Sequence, residues 1–210
     1  MISIMNKKIN DIFTFLRSIR GLETTPRYSS TLKEDARNTV AEHSWHLAMM
    51  VMLVATEFNV KIDIQKAVAM ALLHDIAEAT TGDFDAYAQI ALGSSFVEKK
   101  SKVEETVVAK MTQNIGFGER IFKLWDEFEK QETNEAKFVK ALDKLEGFLH
   151  ISEVGIQAYT QKEFHIDYAD KAFKAFAETE AHFPELSEML VAVKEDIKTQ
   201  CKKAGIDIVS

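Results

Sequence analysis

His74-Asp75 closes an apolar run, AVAMALLHDIAEATTGD, that spans Ala67 to Asp83. Ala69 to Leu73 are all apolar and lead straight into an imidazole and a carboxylate. A stretch apolar on every side reads as a helix buried in a core, and a buried charge must be paired or hold a metal. The dipeptide is therefore a candidate metal site, although an isolated His-Asp pair arises readily by chance. His43, in NTVAEHSWHLAMM, and Asp143, in KFVKALDKLEGFLH, lie on two other apolar-rich segments and could complete the set. Two neutral imidazoles and two carboxylates suit a divalent first-row ion such as Mn, Fe, Co or Zn, with Mg less favoured by imidazole. Four protein ligands on an octahedral ion leave positions for water and substrate, the open geometry of a catalytic site. The chemistry expected of it is activation of a water and polarisation of a phosphoryl oxygen.

Spacing extends the site along the same face. Glu78 is i+4 from His74 and i+3 from Asp75, one turn further on. Asp83 follows Gly82, where the helix should end, and Thr80, Thr81 and Gly82 could add hydroxyl and amide donors. Glu78 is placed to orient or deprotonate an attacking water, and Asp83 to protonate a leaving oxygen. The same two carboxylates could instead hold a second ion. His46, i+3 from His43, reads equally as a core-edge residue or an outer partner of the site. Met49, Met50, Met52 and Met70 read as packing. Trp45 and Trp125 read as core aromatics, the run Lys99 to Glu105 as a solvated helix face, and His150, His165 and His182 as structural.

The elements that must position these residues are helical almost throughout. Ile9, Ile12, Phe13, Leu16 and Ile19 keep helical spacing and Gly21 is a plausible stop. Thr24 to Asn38, with Pro26, reads as a long loop. Helices follow over about Thr39 to Glu57, capped by Asn38, and Asp63 to Thr81, ended by Gly82. A connection from Asp83 to Ser94 leads to helices from about Ser95 to Asn114, over GERIFKLWDEFEKQE, and from Thr133 towards Tyr159. Two more are expected at about Asp167 to Ala181 and Pro184 to Ala204.

The expected class is all-α, in one domain over 1–210, with the C-terminal helices of 160–210 packing on the rest. Two prolines and eight glycines are too few for a many-stranded β protein. A net charge of −7 argues against a nucleic-acid surface, while a bound cation would still admit a small anionic substrate. The lone Cys201 suits a reducing compartment. With no apolar stretch of membrane-spanning length and no signal-peptide pattern at MISIMNKKIN, the expected location is the cytoplasm.

The ordered segments AEHSWHLAMM, ALLHDIAEATTGD and EAKFVKALDKLE resemble the HD-domain metal-dependent phosphohydrolases. Within them the likeness is to the branch of bacterial 5′-deoxynucleotidases and the eukaryotic HD-domain-containing protein 2, and it spans about Ile9 to Glu153. The resemblance implies an HD-domain helical fold, metal ligation by His43, His74, Asp75 and Asp143, and reaction roles, or a second ion, for Glu78 and Asp83. It also implies hydrolysis of 2′-deoxynucleoside 5′-monophosphates by a homodimer, for which the aromatic-bearing helix around Phe173 and Phe176 could form a contact. The chain departs from the nucleotidases in the loop before the first histidine, where Ser29 stands in place of a tryptophan. Arg27 and Tyr28 are the candidate phosphate clamp and base platform, with Thr81 and Phe84 as further substrate contacts. Lys33 and Arg37 are the fallback cations, and a plain surface arginine beside Pro26 is the alternative for Arg27. Rival functions are a phosphodiesterase or nucleotide pyrophosphate hydrolase, a di-iron oxygenase, and a metal-binding regulatory module with little turnover. The oxygenase needs further histidines, and Phe84 to Ser95 contains none.

Overall fold

Thr39 starts the helix that carries the first histidine. Its hydroxyl accepts from the Glu42 amide at 3.2 Å while its own amide donates to Glu42 Oε2 at 2.7 Å, a reciprocal capping box. The cap is therefore Thr39 and not the expected Asn38, whose carbonyl accepts from the Arg27 amide at 2.8 Å. Pro26 and Thr39 form an isolated antiparallel bridge, so the loop read from Thr24 to Asn38 is tied to the helix start.

The computed structural model describes residues 2–28, 32–84, 94–158, 174, 176–203 and 205. Its helices are α1 (Ile2–Ser18), α2 (Val40–Glu57), α3 (Ile64–Leu73), α4 (Glu78–Thr81), α5 (Ser94–Thr112), α6 (Gly118–Lys130), α7 (Asn134–Val154) and α8 (Ser187–Lys203). Short 3-10 turns lie at Arg20–Glu23, Glu34–Ala36, Ile156–Ala158 and Pro184–Leu186, and residues 176–182 are helical. No strand occurs among the described residues, as the all-α expectation requires. Ser29, His165 and Phe173, the expected end at Tyr159, most of the Asp83 to Ser94 connection, the start of the Asp167 to Ala181 helix and the terminus at Ala204 lie outside the described residues.

α2, α3 and α7 pack on one another and bury Leu47, Val51, Ala67, Met70, Phe138 and Leu142. Leu190, Val193, Ile197 and Cys201 of α8 join the same core cluster. Phe176 is buried there at 1% exposure and 4.8 Å from the Phe148 ring, so it cannot be the dimer contact its sequence position suggested. A second cluster, including Phe15, Leu22, Val40, Ile76 and Trp125, lies under α1. Trp125 is a core aromatic as expected, whereas Trp45 is 63% exposed, on the outer side of α2. Met50 and Met70 pack as expected, while Met52 is 41% exposed.

The largest departure from the sequence reading is at the site itself. The single helix expected from Asp63 to Thr81 breaks at Leu73. From there the amides of Ile76, Glu78, Ala79 and Thr80 donate three residues back, to Leu73, Asp75, Ile76 and Ala77, which is 3-10 spacing. The Glu78 amide thus turns to Asp75, and the freed His74 carbonyl accepts from the Trp125 indole Nε1 at 3.1 Å. The residues of this stretch favour helix locally; the break is stabilised by an indole 51 positions away, which periodicity does not reveal.

Two glycines are required here. Gly82 ends α4 at φ +74°, in the left-handed region, as expected of a helix stop. Gly21 lies within the Arg20–Glu23 turn, and a Cβ there would stand 2.3 Å from the Ala79 carbonyl oxygen. Its role is close approach to α4, not the ending of α1.

Candidate metal centre

Three segments bring the expected ligands together: the first turns of α2, the break after α3, and the middle of α7. His43 is fully buried and His74 nearly so. The Nδ1 of His43 faces Glu146 Oε2 at hydrogen-bond distance, and the Nδ1 of His74 lies 2.8 Å from the Ala71 carbonyl oxygen. A carbonyl and an ionised carboxylate only accept, so both imidazoles carry a proton on Nδ1, and in the neutral form that binds a cation each keeps its lone pair on Nε2.

Those two Nε2 atoms face each other at 3.2 Å. His43 Nε2 is 3.2 Å from Asp143 Oδ1 and 3.9 Å from Asp75 Oδ2. His74 Nε2 is 2.9 Å from Asp75 Oδ2 and 4.0 Å from Asp143 Oδ1. All four are electron-pair donors with no hydrogen to share, a grouping that calls for a cation in its midst. Ligand atoms about 2.1 Å from one ion stand about 3.0 Å apart when adjacent and about 4.2 Å apart when opposed. The atoms of His43, His74 and Asp75 fall in that range and group mutually, so this trio fits a divalent ion in both chemistry and size, with Asp143 beside it at 3.2 Å from His43.

The electrostatics agree. Burial pushes the pKa of Asp75 up, but His74 and Arg27 outweigh it and leave the carboxylate well below its usual range. Asp143 behaves likewise, with Lys140 and the two histidines overcoming burial. Burial and Arg27 press the His43 pKa down, yet Asp143 and Glu146 reverse this and the net shift is upward. The centre attracts positive charge.

Glu146 was not singled out in the sequence, though it sits i+3 from Asp143 on the same face of α7. It is 1% exposed and accepts from His43 and, at 3.0 Å, from His46 Nδ1. That makes His46 an outer partner of the site. A carboxylate behind a metal-ligating imidazole fixes its tautomer and raises its basicity, and loss of such a partner typically lowers metal affinity 10–100-fold. Glu146→Gln should therefore weaken metal binding by about 10–100-fold while the fold persists. Titration with a competing chelator measures it, and an unchanged affinity would remove Glu146 from the site.

Arg27 enters from the loop ahead of α2. Its side chain is only 12% exposed, which sets aside the surface-arginine alternative. Nη1 lies 3.4 Å from Asp75 Oδ2 and Nη2 4.0 Å from Asp143 Oδ1, while Nε is buried without a hydrogen-bond partner. Burial opposes its charge, but Tyr28, Asp75, Asp143 and Asp83 hold it firmly protonated. The fallback cations lie elsewhere: Lys33 Nζ is 2.7 Å from the Gln157 carbonyl oxygen and Arg37 Nε 2.8 Å from that of Leu32. Tyr28 adopts φ +57°, its amide donates to Asp83 Oδ2 at 3.2 Å, and its ring stacks on His150 at 5.7 Å.

Glu78 is 3% exposed and its pKa is pushed up to about 10, first by burial and then by Asp75 and Asp83. Burial likewise raises Asp83. The Thr81 hydroxyl faces its own backbone, the carbonyls of Ala77 and Gly82. Phe84 is 37% exposed and meets the Phe96 ring edge-on at 5.3 Å. The run read as a solvated face in α5 is solvated only in part: Glu104 is 8% exposed, and Lys100 reaches inward to Glu78 and Glu104.

The model of the HD domain family matches residues 19–186, a span that contains every one of these donors. The chain belongs to the HD domain family. Among curated HD proteins it is 31% identical to the human 5′-deoxynucleotidase HDDC2 over 145 residues, 68% of this chain and 67% of that one. It is 30% identical to the Dictyostelium discoideum 5′-deoxynucleotidase HDDC2 over 169 residues, 76% of this chain and 84% of the relative. Among solved HD structures, one described as a predicted metal-dependent phosphohydrolase from Magnetospirillum magnetotacticum superposes with a TM-score of 0.73. That pair is 27% identical, covering 91% of this chain and 96% of the other. The chain is thus a metal-dependent phosphohydrolase of the HD domain family.

Proposed function

We propose that the protein is a phosphomonoesterase that releases phosphate from 2′-deoxynucleoside 5′-monophosphates. The observation that carries this reading is Arg27: a buried guanidinium leaning over the acidic donors with its Nε unpaired. A planar fork of donors suits phosphate oxygens better than a point charge does. The names of the HDDC2 relatives support the deoxynucleotide as substrate.

In this reading His43, His74, Asp75 and Asp143 hold the ion, with Mn, Fe, Co or Zn favoured by the two imidazoles. A divalent ion held there supplies Lewis acidity to the phosphoryl group and an activated water. The rest falls to the chain. Arg27 grips the phosphate and stabilises its developing charge. Glu78, one turn from Asp75, orients the attacking water. Burial and Asp75 favour its protonated form, and a cation held by Asp75 would offset both, leaving Glu78 free to take the water's proton while Asp83 returns one to the departing 5′ oxygen. Burial favours the protonated form of Asp83, as a proton donor requires. Alternatively, Glu78 and Asp83 together form the acidic side of a second ion site. The Tyr28 ring, beside Arg27, contributes the base platform. The enzyme acts as a cytoplasmic homodimer, supported by the family resemblance and by an acidic chain with one cysteine.

A metal-supplemented screen of deoxynucleoside and ribonucleoside monophosphates, phosphodiesters and nucleotide pyrophosphates, read by product release, tests the assignment. Turnover confined to diesters or pyrophosphates would overturn it. Arg27→Ala should lower kcat/KM for the preferred monophosphate about 10–1,000-fold with metal content preserved, the loss of a charge-assisted phosphate contact at a buried site. Wild-type kinetics in that variant would move the phosphate clamp elsewhere.

A further inference from the structure

α5 presents a buried face of Lys100, Glu104, Val108 and Thr112. Val108 is fully buried and Thr112 7% exposed, an ordinary packing face. Towards the site the same face becomes charged. The Lys100 side chain is 17% exposed, with Nζ 3.2 Å from Glu104 Oε1 and 3.6 Å from Glu78 Oε1. A buried ion pair is a weak source of stability, since apolar residues of similar volume often serve as well or better. A pair that merely braced two turns of α5 would do so from the exposed side and would not turn in towards a second carboxylate. Glu78 itself is asymmetric: Oε1 faces the ammonium, while Oε2 is buried without a hydrogen-bond partner.

We propose that Lys100, anchored by Glu104, is a positioning residue that tethers Glu78 Oε1 and so presents Oε2 to the attacking water. Lys100 then acts through Glu78 and never touches the reacting atoms. A one-ångström displacement of such a group is enough to cost about 100-fold in rate, so the expected effect falls on kcat and not on KM. This role presupposes the phosphomonoesterase reading, and the assays below separate the two.

Lys100→Met should lower kcat about 10–100-fold with KM and metal content close to wild type, and lower the melting temperature because Glu104 loses its buried partner. Lys100→Arg should recover most of the activity, because a cation of similar reach returns. Glu104→Gln, which keeps the ammonium but weakens its anchor, should fall between and serves as the test should Lys100→Met fold poorly. In a Glu78→Gln background Lys100→Met should add no further loss, since the two residues then no longer act as a unit. Additive losses in the double variant, wild-type kcat in Lys100→Met and Glu104→Gln, or equal impairment of Lys100→Met and Lys100→Arg would overturn the role. Each assay is run in parallel on p-nitrophenyl phosphate. A chain that cleaves this ester but ignores deoxynucleotides refutes the substrate reading while the Lys100 comparison still stands.

Discussion

His74→Ala and Asp75→Ala should lose bound metal and turnover together, whereas Glu78→Ala should keep the ion and lose turnover about 100- to 10,000-fold. The range for Glu78 is that of a general acid or base removed from its reaction. The division follows from position. His74 Nε2 and Asp75 Oδ2 are 2.9 Å apart at the centre of the donor set, so removing either leaves an incomplete and unevenly charged cage. Glu78 is joined to neither histidine; among the described residues its ion-pair partner is Lys100. The measurement is elemental analysis of each purified variant beside its kcat. Equal metal loss in all three would refute the separation of roles. A fall from two ions per chain to one in Glu78→Ala alone would instead place Glu78 at a second ion.

Stripping the metal should abolish activity and lower the melting temperature by about 10 °C. The ion would tie together α2, the break after α3, and α7, which meet mainly through their apolar faces. A ligand that binds only the folded chain at about 1,000 times its dissociation constant stabilises it by about 4 kcal/mol. For a chain of this size each kcal/mol moves the transition by about 2–4 °C. Without the ion, the carboxylates of Asp75 and Asp143 face two imidazole lone pairs, with Arg27 and Lys140 the nearest fixed compensation. Scanning calorimetry on chelator-treated and reconstituted protein measures the shift. A metal-free protein with an unchanged transition and full turnover would refute the four-ligand assignment.

The sequence by itself determined the class of the fold and the identity of the candidate ligands. Apolar periodicity marked α2, α6 and α7 within a few residues, because a helix needs one apolar stripe wherever it packs. An imidazole and a carboxylate at the end of an apolar run pointed to a cation because buried charge needs a partner, a constraint independent of which partner supplies it. Gly82 was legible as a stop because its φ of +74° is a local backbone demand.

Only the tertiary structure decided which way ambiguous residues face. Lys100 and Glu104 read as a solvated helix face, yet both turn inward, and Lys100 meets Glu78 of another segment. Arg27, whose sequence position left a phosphate clamp and a surface cation both open, leans over Asp75 and Asp143. Trp45 reads as core and lies in the open, because the side of α2 used for packing is set by α3 and α7. Glu146 shares its face with Asp143, but its importance depends on two histidines 100 and 103 positions away. The break after Leu73 depends on Trp125 taking the His74 carbonyl. Periodicity records that a face is buried; which polar groups meet there is fixed by long-range packing, and in this chain that packing gathers the donors into one cluster.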